Sequence, residues 1–150
     1  MANYYGMTRS NYFRVTDPER LEKIIEATCM DEDTLELWTR ESENGPLYAF
    51  GGYGSIYGLK PSFDHEADDG SEDDDDDPDF DIFEAELQKI VAPDDAIIIT
   101  EIGYEKLRYL TAYSIIITAK DSDCAELRDD SIRMAQKLLG NRDWITQMEY

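Results

Sequence analysis

A chain of 150 residues, 41% of them apolar and ten of them tyrosine, can build one core without disulfides or metals. Its 35 acidic residues against 14 basic ones leave a net charge of −21. That balance excludes bare nucleic acid and anionic membranes as partners, because like charges repel and no counterions would be released on binding.

Residues 11–15 read as a short first strand after a polar, aromatic lead-in. Asp17-Pro18 then starts a helix, since Asp caps free N–H groups and Pro suits the first helical position. Leu21, Ile24, Ile25 and Thr28 share one face of it, and Glu19, Glu22 and Glu26 another. Residues 35–41 alternate as a strand, Glu43-Asn44-Gly45-Pro46 turns the chain, and residues 47–50 return. Gly51-Gly52-Tyr53-Gly54 is expected to break the returning strand before another short one at 55–59. It lacks the Lys and the following helix of a phosphate loop.

Residues 61–81 hold twelve acids and no Lys or Arg, which leaves −9 for the rest of the chain (23 acids against 14 bases). Mutual repulsion and the lack of apolar side chains predict a mobile, solvated loop at about 61–80. Order is expected to return at Phe80, where Phe83, Leu87, Ile90 and Val91 make a helix stripe that stops before Pro93. Residues 96–118 form the centre of the chain. The β-branched triplets Ile97-Ile98-Ile99 and Ile115-Ile116-Ile117 favour strands, and residues 103–106 make a short connection, so an antiparallel hairpin is expected. Both parities are apolar there, which predicts cover on both faces of the hairpin.

Asp123 with Glu126 resembles a capping box for a third helix, with apolar contacts from Leu127, Met134, Ala135, Leu138 and Leu139 and a stop at Gly140. Residues 144–150 alternate and could add an edge strand. The pattern strand-helix-strand-strand thus occurs twice. It predicts a single α+β domain with an antiparallel or mixed sheet of about five to seven strands and helices on one side. The expected core joins Ile97, Ile99, Ile115 and Ile117 to Leu21, Ile24, Ile25, Phe83, Leu87 and Ile90.

Candidate chemistry is sparse. His65, the only histidine, lies in the acidic loop, a poor base for the fixed geometry of nucleophilic catalysis. Cys29 and Cys124 lack the spacing of a zinc or redox motif and are expected as reduced, small core side chains. Asp64, Glu66 and Asp68 imitate the start of a calcium loop, but Asp69 stands where the sharp turn requires Gly. No catalytic residue, metal or cofactor is therefore expected, and the protein reads as non-enzymatic. No stretch approaches the ~20 apolar residues of a membrane helix. Residues 1–10 lack the apolar core of a signal peptide, so a cytoplasmic location is expected.

Charge supports a sharper reading, nucleic-acid mimicry. An extended chain advances about 3.3 Å per residue, close to the roughly 3.4 Å between phosphates along one DNA strand. The candidate partner-binding acids are Glu19, Glu22, Glu26, Asp31, Glu32 and Asp33 on the body and Asp73, Asp74, Asp75, Asp76 and Asp77 in the loop. Tyr53 and Tyr57 are the candidate aromatic anchors. Carboxylates fixed on helices lose less entropy on binding than a flexible polyaspartate, which favours the body over the loop.

The opening Tyr4-Tyr5-Gly6-Met7-Thr8-Arg9-Ser10-Asn11-Tyr12-Phe13-Arg14-Val15 resembles that of small acidic, largely uncharacterised proteins of bacterial mobile elements. The resemblance implies a setting in which anti-restriction and anti-CRISPR inhibitors occur, some of them DNA mimics. The expected partner is a basic, nucleic-acid-handling defence protein. Two alternatives stay open: an immunity-type protein that neutralises a cognate toxin, and a structural or regulatory interaction module whose acidic loop is incidental.

Overall fold

The computed structural model describes residues 4–31, 34–64, 77–105 and 109–146. In chain order the elements are β1 (Tyr4–Ser10), α1 (Pro18–Ala27), β2 (Cys29–Met30), β3 (Glu36–Ser42), β4 (Gly45–Tyr53) and β5 (Ile56–Gly58). A 3-10 turn (Pro61–Asp64) follows, then α2 (Phe80–Ile90), β6 (Ile97–Glu105), β7 (Tyr109–Ile117), β8 (Ser122–Glu126) and α3 (Leu127–Leu139). Six strands make one antiparallel sheet in the order β3-β4-β1-β6-β7-β8, while β2 and β5 form a separate ribbon. The fold is α+β. Among the described residues no helix is long and apolar enough to cross a membrane.

The central hairpin forms where its isoleucines predict, with Ile97 opposite Ile117 and Ile99 opposite Ile115. Odd-numbered positions of β6 face α1 and α2. There Ile97, Ile99 and Ile117 join Leu21, Ile24, Ile25, Phe83, Leu87 and Ile90 in one buried cluster, with Ile115 packed against it. Phe13, Leu35, Phe50, Leu59 and Val91 complete that cluster, and Phe50 lies edge-on between Phe13 and Phe83. Local chemistry sets the helix ends. The Asp17 carboxylate accepts the Arg20 N–H at 3.1 Å, and that of Asp79 accepts the Asp81 N–H at 2.9 Å. Each capping charge also lies at the positive end of its helix dipole.

Several boundaries differ from the sequence reading. The first strand is Tyr4–Ser10, and residues 11–15 contribute only isolated bridges, Phe13 to Tyr48 and Val15 to Val91. Tyr4, Gly6, Thr8 and Ser10 are its inward positions, and the last three carry small or polar side chains that hide the usual alternation. The Thr8 hydroxyl is satisfied by donating to the Gly54 carbonyl at 2.8 Å. Gly51 and Gly52 do not break β4, because the six-membered Trp38 ring and the Met30 thioether occupy the space where their side chains would stand. The break comes at Gly54, whose φ of 91° disfavours other residues.

Gly103 likewise lies inside β6, opposite Gly6, with the Tyr4 ring laid across both. The capping box does not form: residues 122–126 are strand β8, paired to the free edge of β7, and the Glu126 side chain makes no capping bond. Backbone pairing satisfies a row of N–H and C=O groups there, which outweighs one cap. α3 starts after it and ends at Gly140 in the left-handed region, φ 65°, as expected. No residue of α3 is buried, however, and Leu127, Met134, Leu138 and Leu139 are exposed. Residues 141–146 form no strand, and the rest of the expected edge strand lies outside the described residues, as do residues 65–76 of the acidic loop. Cys124 is exposed and Cys29 half-buried, so neither is a core side chain.

The largest departure concerns the second face of the hairpin, which is bare: Ile98 is 39% and Ile102 49% exposed. That residues 97–104 alternate in, out, in, out is visible only when hydrogen-bonding register is known, since apolar side chains occupy both parities.

Candidate partner-binding site

Glu19, Glu22 and Glu26 project from the solvent side of α1, opposite the buried Leu21, Ile24 and Ile25. Spacings of three and four residues keep the carboxylates within one stripe of the helix. At 1.5 Å per residue the three span about 10 Å, a mean rise of about 5 Å between carboxylates, wider than the roughly 3.4 Å between phosphates along one DNA strand. Among the described residues no ion pair involves any of them. Lys23 lies within the same stripe, but its ammonium is held over the Phe63 ring, 5.4 Å from the centroid.

Asp31 is exposed beyond the helix and its side chain approaches Gly54, while Asp77 is exposed before α2. Glu32, Asp33 and Asp73, Asp74, Asp75 and Asp76 lie outside the described residues. The two candidate anchors separate. Tyr57 is exposed on β5, in the small ribbon. Tyr53, opposite Met7, projects from the bare face of the main sheet, away from α1. The structure thus brings the three α1 glutamates together and does not bring Tyr53 to them.

Other acids are engaged in holding the body together. Glu86 is buried and receives Arg20 Nη2 at 2.8 Å and Lys89 Nζ at 2.9 Å. Burial alone would raise its carboxyl, but these two cations outweigh that and hold it below the ordinary carboxylate value. Arg14 pairs with Asp94 at 2.8 Å, which raises the guanidinium and lowers the exposed carboxyl.

A third acid, Glu101, is buried on the helix side of β6 and was not singled out by sequence reasoning. The Tyr4 hydroxyl donates to it at 3.1 Å. Burial, reinforced by the Glu101 charge, pushes the Tyr113 phenol up to about 12, and burial raises Tyr4 as well. Both phenols are therefore hydrogen-bond donors at neutral pH, locking the sheet around the Gly6–Gly103 pair rather than acting as bases. Among the described residues no group of three or more His, Cys, Asp or Glu side chains is arranged to hold a metal ion. No buried side-chain polar atom there lacks a partner that would mark a ligand's place.

No protein-family model, curated protein or solved structure matches the chain.

Proposed function

We propose that this protein is a non-enzymatic inhibitor of the anti-restriction or anti-CRISPR kind, acting in the cytoplasm. Its acidic surface occupies the basic nucleic-acid site of a defence protein in place of DNA. The observation that carries this reading is the α1 stripe: Glu19, Glu22 and Glu26 are exposed, unpaired among the described residues, and gathered along about 10 Å of one helix face. Being fixed on a packed helix, they lose little entropy on binding, and the surrounding negative charge speeds encounter with a basic groove. The run Asp73 to Asp77 adds long-range attraction rather than the contact itself.

Affinity capture from bacterial lysate at low and high salt tests the reading. The expected result is a nucleic-acid-handling protein that duplex DNA displaces and that high salt releases. A captured toxin that DNA does not displace would instead support the immunity-type alternative.

A further inference from the structure

The bare face of the sheet has a composition unlike the rest of the molecule. Its outward positions on β4, β1, β6 and β7 alternate with those that meet the helices, and none of them is Asp or Glu. In a chain with 35 acidic residues this is a marked exclusion. Tyr53, Met7 and Ile102 stand in register across β4, β1 and β6. Tyr5, Tyr104 and Leu110 form the next row, with the two tyrosine rings 5.7 Å apart.

These six side chains are between 43% and 69% exposed. Counting ~200 Å² for a large side chain at full exposure, they leave about 700 Å² in contact with water. That exceeds the ~300–600 Å² of a typical monomer's largest apolar patch and approaches the ~800 Å² per partner of a stable interface. Tyr and Met are also the residue types enriched where proteins meet.

We infer that two copies of this chain pack their bare sheet faces together as a twofold dimer, with the α1 acids turned outward on both sides. Charge selects a second copy over other occupants. Among the described residues the charged positions on this face are Arg9, Glu36, Arg40 and Asp123, two of each sign, set toward the ends of the rows or on the flanking strands. Arg9 is held over the Trp38 ring at 5.2 Å and Arg40 over Tyr12 at 5.8 Å. Across the described residues of this face the charges balance, so two molecules of −21 can approach here without opposing their acids. An isologous contact of this kind brings Met7 and Ile102 of both copies to its centre, where truncation matters most. The inference stands independently of the proposed target.

Sedimentation equilibrium of the full chain, read as mass against concentration, tests it. The expected result is a mass of twice 17.3 kDa at micromolar concentration. Ile102→Asp should raise the dimer Kd by about thirtyfold or more, as expected for a central position. Tyr53→Ser, at a position too exposed to disturb folding, should weaken it in the same direction. Leu138→Asp on α3 should leave it unchanged. A monomeric mass throughout would overturn the inference. A dimer indifferent to both face variants, or one dissolved by Leu138→Asp alone, would overturn it equally.

Discussion

The two faces of one sheet carry similar side chains and meet opposite fates. Ile97 and Ile99 point toward α1 and α2 and are buried, while Ile98 and Ile102, on the same strand, keep roughly four- to five-tenths of their surface in water. The difference lies in what the flanking chain supplies. α1 and α2 bring Leu21, Ile24, Ile25, Phe83, Leu87 and Ile90 to one face. Nothing among the described residues brings a comparable layer to the other. Acids follow the same division: the outer side of α1 holds the unpaired glutamates, and the central rows of the bare face hold none. Hydrophobicity of a strand therefore reports that both faces can be covered, not what covers them.

The sharpest way to break this comparison is truncation on each face. Phe83→Ala should destabilise by about 3–5 kcal/mol through lost burial and the cavity it leaves. Ile102→Ala, measured by urea unfolding at a concentration that keeps the chain monomeric, should lose under ~1 kcal/mol because its surface is half-wet already. Equal losses would mean that the bare face is covered after all.

A smaller effect is expected at the glycine pair. A Cβ at Gly103 would overlap the Tyr4 hydroxyl, so Gly103→Ala should destabilise by about 1–3 kcal/mol. In a Tyr4→Ala background the obstruction is gone, and the same substitution should be much less harmful. Additive losses in thermal or urea unfolding would show that Tyr4 is not what enforces glycine there.

The Glu86 network sharpens the electrostatic half of the comparison. Its folded carboxyl lies below the ordinary value of 4.5, so the unfolded chain binds the proton more readily. The resulting stability is fully present above pH 4.5 and is lost as pH falls through the folded value. Glu86→Gln should therefore be less stable than the wild type by about 1–2 kcal/mol at pH 7, with the gap closing as pH falls below 4.5 through the folded value. A gap that persists there would contradict the assignment. The smallest change in stability, under ~0.5 kcal/mol per site, is expected for Glu19→Lys, Glu22→Lys and Glu26→Lys, since the three carboxylates hold nothing in place.

Much of the fold was legible from the chain. The isoleucine triplets gave the hairpin, Asp17-Pro18 the start of α1, and the 83-87-90 spacing the face of α2, because each depends on local periodicity and capping. β1 was misplaced because Gly6, Thr8 and Ser10 face inward, and their fit depends on Tyr4, Gly54 and Gly103, partners distant in the chain. Gly51 and Gly52 read as a break for the same reason: Trp38 and Met30 fill their side-chain space from other elements. The α1 acids could be grouped from helical spacing alone. The bare face could not, since its rows exist only once β4, β1, β6 and β7 stand in register.

The measurement that bears most directly on the division of labour between the two faces compares three baits in one lysate capture. These are the wild type, the Glu19→Lys/Glu22→Lys/Glu26→Lys variant and Ile102→Asp. The account predicts that a nucleic-acid-handling protein, displaced by duplex DNA, is retained by the wild type and by Ile102→Asp and lost from the triple variant. Retention by the triple variant, or loss from Ile102→Asp, would contradict it.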